Sequence, residues 1–397
     1  MKRVAITGIG IVSPFGVGKK LLFDNLLANN VALQNDEKLK VIVGRISECG
    51  EHGLDMSSWT SRELKQMSRG ISYSGSMLAV VAAEEAVKDA GLKECHMEET
   101  GVNVGMGIAD LEIIYDVGKQ IAEGKGRRVT PFFIPRILTN MPAGHVSIKF
   151  GMRGPHLSSC IACATGLHSV GDSATFIRMG RAKRMLAGAT EACVNSIAIT
   201  GFSQMRALTM TCSRPFDKRR DGFVLSEGAA ILVLEEMEEA HKRKANIYAE
   251  IMGYGVAGDA YHLTTPSEDG TGAFLSMERC LTDSCISPKQ ITYVNAHATS
   301  TVLGDYFESR AIARLFPGHI GHTLAAAGAI ETAVTAMCVR EGKLVGNAGL
   351  EESDIKENIR FLKQSERWDK GRMALVNSFG FGGSHATLCL AAVENSK

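Results

Sequence analysis

Strand-like and helix-like segments alternate along this chain from end to end, with no linker or low-complexity stretch between them. That alternation confines the fold to α/β layers, because the helices that connect successive strands must also cover them. Residues 3–7 read as a short buried strand that runs into a glycine-rich loop, residues 77–88 as an alanine-rich helix and 102–105 as another strand. The clearest unit is a helix over 164–179 followed by a core strand at 185–188. Leu167, Val170, Ala174 and Ile177 recur there at three and four, as one buried helix face requires. A second set follows a charged helix at 235–244: strands at 247–252 and 291–294, helices at 304–315 and 325–339, then strands at 374–377 and 386–391. Three hundred and ninety-seven residues exceed one ordinary hydrophobic core. The chain therefore reads as two similar halves, 1–243 and 244–397, packed as one body.

Charge and cysteine usage narrow the function. Lys plus Arg number 44 against 43 Asp plus Glu, without the cationic excess that a nucleic acid attracts. No apolar run reaches the ~20 residues that a membrane-spanning helix needs. Met1 leads almost at once into a strand-like segment, leaving no room for a presequence, so an intracellular protein of the cytosol or mitochondrial matrix is expected. Ten cysteines scattered through the chain with no secretory signal fit a reducing compartment. Cys160 and Cys163 have the spacing of a redox dithiol or half a zinc site, but no second such pair occurs and Cys280 to Cys285 is too wide, so no metal is expected. Gly8-Ile9-Gly10 opens like a dinucleotide fingerprint, yet Ser13-Pro14 interrupts the helix that should follow, and no cofactor is expected either.

Three stretches carry chemistry. Cys163 falls at the junction of an extended stretch and a buried helix. Unpaired N–H groups and the helix dipole favour thiolate there, which makes a nucleophile; a small buried apolar cysteine is the competing reading. His297 ends a strand among small and hydroxyl residues, and His322 precedes a small-residue helix. The run Asn377-Ser378-Phe379-Gly380-Phe381-Gly382-Gly383-Ser384-His385 is a glycine loop after a strand, able to aim backbone N–H groups at a ligand. Taken alone, each histidine is explained by a structural role and the loop by a turn.

Together, Cys163, His297, His322 and the 380–383 loop resemble the β-ketoacyl synthases of the thiolase-like superfamily. The resemblance extends over nearly the whole chain, through Val4-Ala5-Ile6-Thr7-Gly8-Ile9-Gly10, Pro131-Phe132-Phe133-Ile134-Pro135, Arg214-Pro215-Phe216-Asp217 and Arg220-Asp221-Gly222-Phe223. It is strongest toward the bacterial type II and mitochondrial condensing enzymes that extend acyl chains on acyl carrier protein. It implies a five-layered αβαβα body of two βαβαβαββ halves, and a homodimer. It also implies that Cys163 attacks an acyl thioester, while His297 and His322 assist decarboxylation of a malonyl thioester and stabilise the enolate. A soft thiolate suits a thioester carbon, and an enolate needs donors where its charge collects. By the same resemblance the N–H groups of Cys163 and Phe379 form the oxyanion hole and Phe379 gates the acyl chain. The resemblance likewise implies that Thr299 and Thr301 hold the phosphopantetheine arm and that Ile108 ends the acyl pocket, although for Ile108 ordinary core packing is the stronger reading. Lys65, Arg127, Arg128 and Arg206 match positions that face the acidic carrier protein.

Departures from the pattern matter as well. Only Pro317-Gly318-His319-Ile320 separate Phe316 from Gly321, where the family has a longer segment with a lysine that pairs with a glutamate. Glu308 is that glutamate and is expected to lack its partner; Arg310 and Lys343 are the substitutes to check. The loop 208–214 is also short, and Ser226-Glu227-Gly228 replaces Gly-Glu-Gly. The expected activity is thus decarboxylative Claisen condensation on acyl carrier protein in fatty acid biosynthesis. Its rival is a condensation-impaired relative, a malonyl-thioester decarboxylase or chain-length subunit. A biosynthetic thiolase is the weaker reading, since the second catalytic cysteine expected near the C-terminus is missing and Cys389 lies in a strand-like run that reads as core.

Overall fold

A computed structural model describes residues 1–37, 39–46, 53–57, 59–67, 74–316 and 328–393. His322 and the short 317–320 segment lie outside the described residues.

Ten strands, numbered along the chain, form the main sheet: β1 (Val4–Ser13), β2 (Gly16–Val17), β3 (Thr100–Met106), β4 (His156–Leu157), β5 (Arg184–Glu191), β6 (Gly228–Glu236), β7 (Ala249–Gly258), β8 (Tyr293–Asn295), β9 (Met373–Gly380) and β10 (Ser384–Ala391). Their order is β8-β9-β10-β7-β1-β6-β5-β3-β4, with β2 against β1. First-half and second-half strands form separate blocks that meet along one short seam, where Val4, Ala5 and Ile6 of β1 pair antiparallel with Ile251, Glu250 and Ala249 of β7.

Six helices matter here: α1 (Gly75–Ala90), α2 (Met141–Phe150), α3 (Thr165–Arg178), α4 (Thr271–Ser284), α5 (Val302–Leu315) and α6 (Gly328–Glu341). Side chains alternate across a strand, and β6 shows how that builds layers. Its Ala230, Leu232 and Leu234 join the central core with Leu167, Val170 and Ile177 of α3 and Ala333 and Ala336 of α6. Its Ala229, Ile231 and Val233 face a second core under α1 and α2. A third core sits under α4 and α5, where Met277, Cys280, Ala311 and Ile312 meet Val294, Leu375 and Cys389. The result is αβαβα, with α3 and α6 between the two strand blocks. Burying a Leu or Ile contributes about 1.5–3 kcal/mol, so the apolar face of α3 anchors the helix that follows Cys163.

Two boundaries differ from the sequence reading. β1 does not end before Gly8 but continues to Ser13. A Cβ on Gly8 would lie 2.4 Å from the Ala86 carbonyl oxygen, and one on Gly10 only 1.9 Å from that of Ala82. These glycines admit α1 onto the strand and need no loop. Past the seam, α1 also satisfies the strand edge: Asp89 accepts the Ile9 N–H at 2.9 Å and Glu85 the Ile11 N–H at 2.8 Å. The charged segment at 235–244 is likewise strand as far as Glu236, with a helix only from Met237 to Lys242. Glu235 is fully buried between Arg184 at 2.5 Å and Arg243 at 2.7 Å, and that ion cluster holds it in the sheet.

Candidate active site

Cys163 lies in the 3-10 turn Ala162–Ala164 that leads directly into α3. Thr165 closes the turn: its Oγ1 accepts the Ile161 N–H at 2.8 Å and donates to the Ala162 carbonyl at 2.7 Å. Ala162 has φ +43°, a left-handed conformation that a non-glycine residue keeps only when its surroundings impose it. Strand β9 is one such constraint. Ser378 Oγ donates to the Cys163 carbonyl at 2.9 Å, and Gly380 passes so close that a Cβ there would lie 2.7 Å from the Ile161 carbonyl oxygen. At the start of α3, Gly166 admits the first turn of α6, since a Cβ on it would lie 2.5 Å from the Ala329 nitrogen. The loop after β3 flanks the turn too, with Cys160 Sγ donating to the Gly107 carbonyl at 3.6 Å and half-buried Ile108 next in the chain.

His297 follows β8 in a strained loop in which Ala298 and Ser300 have φ +42° and +64°. Its anchor is Glu308 on α5. One carboxylate oxygen accepts the His297 N–H at 2.9 Å and the Asn377 side-chain N–H at 3.1 Å, and the other accepts the Ala298 N–H at 2.8 Å. As expected, no cation pairs with Glu308 among the described residues; three N–H donors hold the carboxylate instead, and burial still raises its pKa against them. Arg310 points elsewhere, donating to the Glu268 carbonyl at 3.0 Å, and Lys343 is exposed on its own short strand. Ser300 Oγ accepts the Arg214 N–H at 2.8 Å. Thr301 Oγ1 caps α5 by accepting the Gly304 N–H at 3.2 Å and lies 2.9 Å from Thr299 Oγ1, so these two hydroxyls stand side by side at the start of α5.

β9 touches both halves of the site. Ser378 holds the cysteine turn, while the Phe379 ring meets the His297 ring edge-on at 5.7 Å between centroids. Burial, with a smaller contribution from His385, holds His297 down at about 4, so its imidazole is neutral at neutral pH. Cys163 behaves against the helix-dipole expectation. Its residue retains solvent exposure, yet the protein packed around the thiol strips enough hydration to push it up to about 11, and Glu191 and Glu331 add negative charge nearby. Desolvation and these carboxylates outweigh the helix N-terminus.

The four expected carrier-protein cations are all exposed. Lys65 sits on the helix Ser61–Met67, Arg127 and Arg128 on the turn Gly126–Arg128, and Arg206 just past the helix Ser196–Gln204. The helix Leu111–Ala122 packs on both that turn and the Ser196–Gln204 helix, and Arg136 ties the neighbouring segment to the Lys65 carbonyl. Thr165, Asn377 and Ser378 emerge as supporting residues that periodicity does not single out. The available signals were a threonine at a helix start and two polar residues ending an apolar strand.

This layered body, with a cysteine on a strained turn entering its central helix and a histidine loop meeting it across one strand, defines a condensing enzyme of the thiolase-like fold. Sequence comparison specifies it further. The profile of the β-ketoacyl synthase N-terminal domain matches residues 1–240, and that of the C-terminal domain matches residues 248–351. The chain belongs to the β-ketoacyl synthase family. It is 38% identical to a mitochondrial 3-oxoacyl-[acyl-carrier-protein] synthase of Arabidopsis thaliana, over 99% of this chain and 94% of that protein. It is 37% identical to 3-oxoacyl-[acyl-carrier-protein] synthase 2 of Staphylococcus aureus, over 99% of each. A β-ketoacyl synthase from Burkholderia phymatum superposes with a TM-score of 0.89 at 29% identity, covering 99% of this chain and 100% of that one. A ketosynthase solved with its acyl carrier protein, bound to a hexaketide, superposes with a TM-score of 0.86 at 28% identity over 99% and 100%. The protein is an acyltransferase-type condensing enzyme of fatty acid chain elongation.

Proposed function

We propose that this chain is a 3-oxoacyl-[acyl-carrier-protein] synthase that takes both acyl and malonyl thioesters from acyl carrier protein. The observation that carries the reading is the double engagement of β9, which pins the Cys163 turn through Ser378 and sets Phe379 against His297. In the first step the Cys163 sulfur bonds to the acyl carbonyl carbon and the carrier thiol leaves. A thiol held near 11 is protonated in the free enzyme, so its proton must depart as substrate binds. In the second step the malonyl thioester loses carbon dioxide. The enolate carbon attacks the acyl–Cys163 carbonyl, and the thiolate is expelled. Neutral His297, with His322 beside it in role, donates to the thioester oxygen where enolate charge collects, and the Cys163 and Phe379 N–H groups serve the acyl-transfer oxyanion.

Thr299 and Thr301 suit contact with the phosphopantetheine arm because their paired hydroxyls lie in the loop that follows His297. Ile108 is assigned to the end of the acyl pocket, and Lys65, Arg127, Arg128 and Arg206 to the acidic carrier. We further propose a homodimer, two halves divided at 243/244, and a cytosolic or mitochondrial matrix location; relatives in Arabidopsis thaliana and Schizosaccharomyces pombe are named mitochondrial. The condensation-impaired alternative is not favoured, because the full-length relatives are named 3-oxoacyl-[acyl-carrier-protein] synthases and Glu308, though without a cation, is held by three N–H donors. Intact-mass analysis after incubation with acyl carrier substrates, followed by peptide mapping, tests the reading. The acyl group should sit on Cys163 and not Cys160. His297→Ala and His322→Ala should lower condensation by ~10²–10³ while sparing acylation. An acyl group found on Cys160, or equal loss of both steps, would overturn these roles.

A further inference from the structure

We propose that His385 is a positioning residue for the reaction, a rigid backstop whose ring sets where Phe379 stands between the acyl entrance and His297. The inference rests on the reading of Phe379 as the residue that admits the acyl chain. Phe379 and His385 are directly opposite each other across the β9–β10 hairpin, whose turn is the glycine loop. Their rings meet at 4.6 Å between centroids, closer than the 5.7 Å from Phe379 to His297. Phe379 is thus in ring contact with two imidazoles.

His385 is built to resist movement. Its side chain is buried, and a Cβ on Gly272 at the start of α4 would lie 2.5 Å from its Cδ2, so the ring abuts helix backbone and has no room to retreat. Asp259 stands on the same side, 3.9 Å from Nε2, which is too far for a hydrogen bond. Asp259 is itself fixed, accepting the Ser267 N–H and hydroxyl, each at 2.7 Å, and the Gly272 N–H at 3.3 Å. Among the described residues neither ring nitrogen of His385 has a hydrogen-bond partner. Burial lowers its pKa, with Asp259 opposing. Shape and ring contact are what this side chain contributes.

Removing the ring should loosen Phe379 in a way that affects the two half-reactions oppositely. With space behind it, Phe379 moves aside more readily, so acyl entry quickens; once acylated, it returns less faithfully to His297, so condensation slows. An aromatic pair of this kind bounds each change at about two- to tenfold. The experiment uses the full chain with octanoyl-[acyl carrier protein] as probe and measures single-turnover Cys163 acylation by intact mass. Condensation of the pre-acylated enzyme with malonyl-[acyl carrier protein] is measured separately. His385→Ala should raise the first rate and lower the second, and His385→Phe, which keeps a flat ring without nitrogens, should bring both back toward the parent. Unchanged rates, or a parallel fall in both steps with no recovery in His385→Phe, would overturn the proposal. Should His385→Ala not fold, His385→Phe alone decides, since a large loss in either step would contradict a purely steric role. Phe379→Ala separates the underlying reading: if it leaves acyl entry unchanged, the gate itself is misassigned, whereas a Phe379→Ala effect without a His385→Ala effect refutes only the backstop.

Discussion

Replacing Glu308 by glutamine is the sharpest probe of how the histidine loop is held. The carboxylate accepts three N–H donors: from His297 at 2.9 Å and Asn377 at 3.1 Å on one oxygen, and from Ala298 at 2.8 Å on the other. A glutamine with its carbonyl in the first position retains two of them and turns an NH₂ group toward the Ala298 N–H. One buried donor then faces a donor, at a cost of about 1–3 kcal/mol. Alanine at the same position would strand all three and, at up to ~9 kcal/mol, approach the whole stability of a domain, so it would report folding and not catalysis. Because Ala298 carries φ +42°, the loop has strain to release, and a shift of about 1 Å at His297 lowers condensation by on the order of 10²-fold. The assay compares condensation with Cys163 acylation in Glu308→Gln, alongside thermal unfolding. Expected are a fall of about 10- to 100-fold in condensation, near-parent acylation and a small drop in melting temperature. Condensation at the parent rate would refute the argument that Glu308 holds His297 in place.

Other outcomes follow from the same geometry. In the free enzyme, alkylation of Cys163 should climb with pH toward about 11, close to tenfold per unit through pH 8–9, because the thiol is the stable form below that value; a rate already flat above pH 6 would restore the helix-lowered thiolate. Asp305 is fully buried and pushed up to about 7 by burial against an ordinary 3.8. The unfolded chain therefore releases this proton first, and stability is lost as pH rises from about 4 to 7. Asp305→Asn should remove that slope in melting temperature, and an unaltered slope would assign it elsewhere. The acid limb due to His297 should lie near pH 4 in a decarboxylation profile; with its folded value below the ordinary 6.5, the stability it contributes is present above 6.5 and lost as pH falls through 4. Gly10→Ala places a Cβ 1.9 Å from the Ala82 carbonyl and should destabilise the protein measurably in denaturant without changing the site's pH dependence.

The local code along this chain determined a great deal by itself. Periodicity at Leu167, Val170, Ala174 and Ile177 announced the central helix, since a 3.6-residue repeat of apolar side chains has one folded meaning, and the cysteine before it marked the turn to which we assign the nucleophile. The order of Cys163, the two histidines and the glycine loop carried the family resemblance, because each motif is contiguous in sequence. What escaped was set by contacts between distant residues. Gly8 and Gly10 look like loop residues until Ala82 and Ala86 are seen lying on them. Glu308 looks stranded without a lysine until the backbone N–H groups of its own neighbouring loop and Asn377, from the far end of the chain, converge on it. The Cys163 thiol follows the same rule: sequence shows a helix start, which lowers its pKa, but the packing that raises it is assembled by tertiary structure alone. Helix dipoles and hydrophobic repeats are encoded within a few residues, whereas hydration, charge pairing and close approach depend on which remote segments fold together.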